Sequence, residues 1–256
     1  MAHEDFLIPD WPAPAKVKSC ISTRLSGDSL PPYDANNLAL HVEDNDAAVL
    51  SNRQKFQQRA AIPGVPQWLE QIHGTRVVEA EGDERVRTAD ACITCKPNQP
   101  CTVLTADCLP LLLCDTAGTT VAAVHAGWRG LADGVIREAV EAFELPANQL
   151  LVYLGPAIGP QAFEVGIDVL EAFFEGAISA EHAEAISSCF IPSIEKPLGF
   201  YADLYGLARA ELSALGVSQR AIYGGDFCTY TDSERFFSYR RDGVTGRMAS
   251  VIWLEG

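Results

Sequence analysis

Two apolar runs in close succession constrain this chain most. Thr105-Ala-Asp-Cys-Leu-Pro-Leu-Leu-Leu-Cys-Asp-Thr116 is followed at once by Thr120-Val-Ala-Ala-Val-His-Ala-Gly-Trp-Arg-Gly130. Runs of this length, rich in Leu and Val and bounded by Gly, Pro and Asp, read as neighbouring buried strands. Cys108 and His125 sit at their ends, beside Pro110 and Gly127, residues expected to break regular structure. Side chains at strand ends line the rim of a sheet, where ligands are usually met. His73, in Gln71-Ile-His-Gly-Thr-Arg76, lies at a similar break. Two His and one Cys make a three-ligand set of zinc type with one position left open.

The rest of the chain has to supply layers for those strands. Asp46–Ala61 reads as an amphipathic helix stopped by Pro63-Gly64. From Arg129 onward the spacing of Leu131, Val135, Ile136, Ala139, Val140 and Phe143 is helical. Further helices are expected at Gly166–Phe174 and Asp203–Leu215, and His182 lies in an Ala/Glu-rich helical stretch where it is expected to be solvated. Strands are expected at Val17–Thr23, Trp68–Ile72, Ala91–Thr94, Thr102–Thr105, Leu109–Cys114, Thr120–His125, Leu150–Leu154, Ala221–Tyr223 and Met248–Leu254. The Pro-rich start, up to Ala15, reads as extended, and Arg24–Ser29 and Pro31–Asn37 read as loops. Hairpin-like and crossover connections alternate. The expected fold is therefore a mixed-sheet α/β (α+β) sandwich rather than a doubly wound parallel sheet, in one domain spanning residues 1–256.

The composition narrows the partners. The formal net charge is −15 and no run of Lys or Arg occurs, which argues against nucleic acid or an anionic membrane. No stretch approaches the roughly 18–20 apolar residues of a membrane helix. Met1-Ala-His-Glu-Asp-Phe6 lacks the regions of a secretory signal, so a cytoplasmic location with eight free thiols is expected. The acidic surface favours a monomer or small homo-oligomer.

A zinc ion at His73, Cys108 and His125 would bring a bound water to a pKa of about 7. A second reading drops the metal and makes Cys108 a nucleophile with His125 as its base. Asp90 and Asp107 flank the region and could orient a histidine, serve as a general base, or cap turns. Arg129 opens a helix beside Gly127 and Gly130, a candidate anion site to which Arg24, Arg240 and Arg241 could contribute. Cys92-Ile-Thr-Cys95, with Cys101 nearby, is a single CxxC on a strand and a weak metal signal. Cys20, Cys114 and Cys189 read as core thiols, whereas Cys228 precedes a polar and aromatic loop able to close over a pocket. His3 and His41 have no evident partner.

These motifs together resemble the family of laccase-domain proteins, once called multicopper polyphenol oxidases and now described as zinc-dependent purine nucleoside phosphorylases. The resemblance rests on Ser22-Thr-Arg24, Asn37-Leu38, Asn52-Arg53, Gln71-Ile-His-Gly74, Ala89-Asp90, Thr105-Ala-Asp-Cys108 and His125-Ala-Gly-Trp-Arg-Gly130. It continues through Gly155-Pro-Ala-Ile-Gly159, Phe163-Glu-Val-Gly166, Asp203-Leu204, Cys228-Thr229, Phe236-Phe-Ser-Tyr-Arg-Arg-Asp-Gly243 and Gly246-Arg247. It implies a sandwich fold shared with toxin-deamidase-like cysteine hydrolases, and His73, Cys108 and His125 as metal ligands. It implies phosphorolysis of adenosine, inosine and methylthioadenosine, with adenosine deamination. Asp90 and Arg129 join the catalytic group. Arg24, Asn37, Gln71, Cys228, Phe237 and Arg240 become candidate substrate contacts, with nucleoside and phosphate as small-molecule partners. Two departures stand out: the loop after Arg24 reads Leu25-Ser-Gly27 where the family carries a Gly-Gly pair, and the segment after Asp90 is rich in Cys.

Three other functions compete. A copper polyphenol oxidase needs a type 1 copper and a trinuclear centre, and five His with no His-x-His pair supply too few ligands; copper on exposed thiols would be adventitious. An amidase editing peptidoglycan precursors would use the same zinc or Cys–His pair. A zinc-stabilised interaction module is disfavoured, because structural zinc sites are closed by four ligands.

Overall fold

The computed structural model describes residues 5–194 and 196–256; His3 lies outside them. In chain order the first elements are β1 (Phe6–Leu7), β2 (Val17–Ser22), α1 (Asp46–Arg59), β3 (Leu69–Glu70), β4 (Val77–Glu79), β5 (Arg87–Thr88), β6 (Ala91–Thr94) and β7 (Cys101–Thr105). Then come β8 (Leu109–Asp115), β9 (Val121–Ala126), α2 (Trp128–Asp133), α3 (Val135–Glu141), β10 (Leu150–Leu154), β11 (Glu164–Gly166) and α4 (Ile167–Glu175). The last are α5 (Ala180–Ser188), β12 (Phe190–Pro192), β13 (Gly199–Ala202), α6 (Leu204–Ala214), β14 (Ile222–Gly224), α7 (Tyr239–Asp242) and β15 (Met248–Leu254).

The two apolar runs form β8 and β9 at the centre of a six-stranded sheet ordered β14-β10-β8-β9-β6-β4. The sheet is mixed: β8, β9, β10 and β6 pair antiparallel, while β14 and β4 join at the edges in parallel. Successive side chains on a strand face opposite ways, so each run feeds two cores. Leu111, Leu113, Ala122 and Val124 pack under Val135, Ile136, Leu207 and Leu212 from α3 and α6. Their neighbours Leu112, Cys114, Val121 and Ala123 face Ile21, Val103 and Ile252 on a second, antiparallel sheet ordered β1-β2-β15-β7. The outer face of that sheet, through Leu104, Val251 and Trp253, is closed by Leu38 and by Phe56 of α1. The layers thus run helix, sheet, sheet, helices, a mixed α/β plan. Each fully buried Leu of the central run contributes roughly 1.5–3 kcal/mol.

Several expectations are corrected. Pro110 does not break its run but is the second residue of β8, opposite His125; proline is tolerated at the first residues of a strand, where a ladder donor is least missed. The helix expected after Arg129 is two helices, because Gly134 takes a left-handed conformation (φ +97°) and ends α2. Trp68–Ile72 pairs only at Leu69 and Glu70. His182 is not solvated. It is buried between α5 and α6, 3.3 Å from Glu211 through Nε2, and its Nδ1 accepts the Ile178 N–H. The Ala-rich α5 has too few large residues to advertise which face it buries. All eight cysteines are free. Cys92 and Cys101 are buried between the sheets while Cys95 is exposed, so the CxxC pair does not converge. Among the described residues no helix is long and apolar enough to cross a membrane.

Candidate metal centre

Antiparallel pairing of β8 with β9 sets Leu109 opposite Ala126 and Pro110 opposite His125. The start of one strand and the end of the other therefore share one edge of the sheet, which brings Cys108 and His125 together. His73 arrives on the loop after β3 with a left-handed backbone (φ +61°), a conformation that needs outside support in a residue with a Cβ.

Asp90 supplies that support. Its carboxylate is fully buried at the entry to β6. Oδ1 accepts the His73 N–H at 2.9 Å and the His125 Nδ1–H at 2.8 Å. Oδ2 accepts the N–H groups of Gly74 at 2.7 Å and Ile72 at 3.2 Å. One side chain thus shapes the His73 loop and fixes the tautomer of His125, leaving its Nε2 free as a donor to a metal. Burial raises the Asp90 pKa, but the His125 and Gly74 hydrogen bonds outweigh it and hold it below the usual carboxylate range.

The glycines of His125-Ala-Gly-Trp-Arg-Gly130 are required by the same crowding. A Cβ on Gly127 would lie 2.5 Å from Cδ2 of His73 and 3.1 Å from Sγ of Cys108. A Cβ on Gly130 would lie 2.7 Å from the Gly74 carbonyl.

The ligand atoms of His73, Cys108 and His125 lie within 4.8 Å of one another, and Sγ of Cys108 is 3.8 Å from Nε2 of His73. A tetrahedral zinc with ordinary bond lengths separates an S and an N ligand by about 3.6 Å, so the donor set fits one metal ion. Burial raises the Cys108 thiol, but the His125 and His73 imidazoles outweigh it and bring it to about 6. Burial lowers His125, yet the Cys108 sulfur and Asp90 raise it to about 9. The thiol is thus predisposed to the thiolate that a metal binds.

The triad opens into a cavity of about 730 Å³. Gln71, Arg129 and Arg240 share its wall, and so do residues with no role assigned from sequence: His41, Trp128, Phe163, Tyr239 and Arg247. Gln71 uses both ends of its amide on the backbone of Leu104. Asp107, with a left-handed backbone (φ +91°), is a fastener rather than a partner of the histidines. It accepts from the Thr229 and Ser238 hydroxyls and from the Arg240 N–H at 2.7 Å, tying Cys108 to the loop that carries α7.

Other candidates stand elsewhere. Arg24 hydrogen-bonds to the carbonyls of Asp34 and Ser233 and lies over the Phe237 ring, in a surface depression apart from the triad. Phe237 and Asn37 are fully buried. Cys228 faces a separate cavity of about 450 Å³, its Sγ accepting the Gly159 N–H. His41 and Arg247 carried a faint signal in their motifs, but nothing local in the sequence says that the two meet the triad.

A mixed α/β sandwich with an open His2Cys centre at the floor of a cavity defines a candidate metalloenzyme rather than a structural zinc protein. The chain belongs to the family described as multi-copper polyphenol oxidoreductase laccase, whose profile matches residues 18–255. It is 52% identical over 250 residues to a purine nucleoside phosphorylase of Pseudomonas aeruginosa, covering 98% of each chain. It is 50% identical over 249 residues to the purine nucleoside phosphorylase YfiH of Escherichia coli, covering 97% of this chain and 98% of that one. A crystal structure of the Neisseria meningitidis protein NMB0706 superposes with a TM-score of 0.91 at 48% identity, covering 98% of this chain and all of the other. YlmD from Geobacillus stearothermophilus gives 0.90 at 27%, covering 100% and 98%.

Proposed function

We propose that the chain is a zinc-dependent purine nucleoside phosphorylase acting on adenosine, inosine and methylthioadenosine, with adenosine deaminase activity at the same site. The observation that carries this reading is the open three-donor centre, braced by Asp90, at the floor of a cavity walled by Arg129, Arg240 and Arg247. The names of the relatives at 50–52% identity support the same chemistry. Zinc held by His73, Cys108 and His125 would supply Lewis acidity and an activated water. In phosphorolysis a phosphate oxygen bonds to C1′ of the ribose as the bond to the purine nitrogen breaks, and the base leaves with a proton. Arg129 and Arg240 offer charge to the phosphate, Trp128 and Tyr239 offer faces to the base, and Gln71 and Asp90 hold the floor. Arg24, Asn37, Phe237 and Cys228 brace the loops around it. The chain would act as one domain, as a cytoplasmic monomer or small homo-oligomer. The described residues hold one group able to bind a metal, which fits a single zinc better than a multi-copper centre.

The test is turnover of adenosine and inosine with and without phosphate, on wild type and Cys108→Ala, with zinc content measured in parallel. Phosphate-dependent release of base and ribose 1-phosphate, lost together with zinc in the variant, is expected. A zinc-loaded wild type inert on both nucleosides would overturn the reading.

One observation favours a second reading. Cys108, His125 and Asp90 also line up as a thiol, a base and an orienting carboxylate, the arrangement that a cysteine hydrolase of the toxin-deamidase type would use. Amide cleavage of a peptidoglycan precursor that survives removal of zinc would select it.

A further inference from the structure

Arg247 is the most firmly held cation on the cavity wall. Its N–H donates to Oδ1 of Asn37 at 3.0 Å. Its Nη1 donates to the carbonyls of Thr245 at 2.8 Å and Gly246 at 3.0 Å. Asn37 is itself locked, with Nδ2 donating to Asp44 at 2.9 Å and to the Ala39 carbonyl at 3.1 Å. Gly246 permits the approach: a Cβ there would lie 2.7 Å from the Phe237 ring and 2.9 Å from Cβ of Asn37. Asn37, Phe237 and Gly246 thus meet at the backbone of Arg247 and set where its guanidinium leaves the chain.

No carboxylate among the described residues lies in salt-bridge contact with that guanidinium. Among the described residues, Arg129, Arg240 and Arg247 make no ion pair with a carboxylate, although the chain carries 34 acidic residues. Seven of the other eleven arginines do, Arg24, Arg137 and Arg241 among them. Arg247 is half-buried, and burial lowers its pKa against the pull of Cys108 and Asp107. His41 lies on the same wall, and an imidazole N–H can donate to an oxyanion. A partly desolvated guanidinium free of a carboxylate contact, on a wall shared with a second donor, is a site for an oxyanion.

We propose that Arg247, set by Asn37 and flanked by His41, seats the inorganic phosphate that attacks the nucleoside. The proposal rests on the phosphorylase reading. The same chemistry would accept the 5′-phosphate of a nucleotide, so the test has to separate the two sources.

Inorganic phosphate is titrated calorimetrically into the zinc-loaded protein, alone and with a saturating C-nucleoside analogue of inosine, whose carbon–carbon glycosidic bond cannot be cleaved and which has no amine to lose, and AMP is titrated in a third arm. Phosphate is expected to bind as well or better with the analogue present. Phosphate excluded by the analogue, with AMP binding in its place, would assign the seat to a nucleotide and overturn the proposal. Arg247→Gln is expected to weaken phosphate about tenfold to hundredfold, the cost of a charge-assisted hydrogen bond. Melting temperature, zinc content and the KM for adenosine should be kept. Arg220→Gln, at an exposed turn that lines no part of the cavity, should bind phosphate like wild type. Unchanged phosphate affinity in Arg247→Gln overturns the proposal. If that variant melts early, Arg247→Lys decides, since it keeps charge and stem but loses the fork: a several-fold loss with an intact melt supports the seat, and no loss overturns it. Ribose 1-phosphate is assayed alongside. Phosphate bound through Arg247 without turnover keeps the seat and removes the phosphorylase reading. Turnover with an unchanged KM for phosphate in Arg247→Gln does the reverse.

Discussion

Asp90→Asn isolates the device that holds the centre together. The carboxylate accepts four hydrogen bonds, two on each oxygen: His73 N–H and His125 Nδ1–H on Oδ1, Gly74 N–H and Ile72 N–H on Oδ2. An amide of the same shape has one accepting oxygen. Whichever way it turns, its NH2 group faces two donors at a position closed to water. Each donor stranded in this way costs about 1–3 kcal/mol, which sums to roughly 2–6 kcal/mol. The lower half of that range applies if the His73 loop, whose Ile72 and His73 are exposed, swings out to relieve the clash. Relief carries a ligand away from the centre, and losing the partner of a ligating histidine weakens metal binding by about 10–100-fold. Urea unfolding of the metal-free protein gives the first quantity, and competition against a chromophoric chelator gives the second. A stability loss below about 1 kcal/mol together with unchanged zinc affinity would refute the clamp.

Three further predictions follow from the same geometry. Gly127→Ala keeps an allowed backbone (φ −65°, ψ 155°) but drives a methyl into His73 and Cys108, so zinc affinity should fall at least tenfold while the metal-free melt moves little; equal zinc binding would remove the steric account of that glycine. In metal-free protein, alkylation of the Cys108 peptide followed by mass spectrometry should have its midpoint near pH 6. The sign is fixed by the lowered pKa, with thiolate dominant above that pH and protection gained below it; a midpoint above 8 would contradict it, and zinc should block the reaction. His182→Ala strips a donor from the buried Glu211, leaving Arg137 as its partner, and should cost roughly 1–3 kcal/mol in urea unfolding with zinc affinity unchanged. A loss of zinc in that variant would mean that α5 and α6 communicate with the centre.

The triad was legible because each ligand marks a break beside an apolar run, and the central strands were legible because their runs are long and unbroken. The short strands β4, β5 and β11 to β13 were not, since two to four residues are too few to display a period. Asp90 and Asp107 were visible as residues but not as devices. Asp90 acts on positions 16–35 residues away and Asp107 on positions 122–133 residues away, and no local pattern encodes such pairings. Asn37 marks the limit most sharply. Read along the chain, a polar residue in a loop motif is equally suited to touching a ligand or to bracing a backbone. The choice is made by Gly246, more than 200 residues later, whose missing side chain lets the Arg247 N–H reach the Asn37 oxygen. If the bracing role is right, Asn37 contributes to ligand binding only through Arg247. Asn37→Ala in an Arg247→Gln background should then weaken phosphate no further, whereas a direct contact would add its own loss.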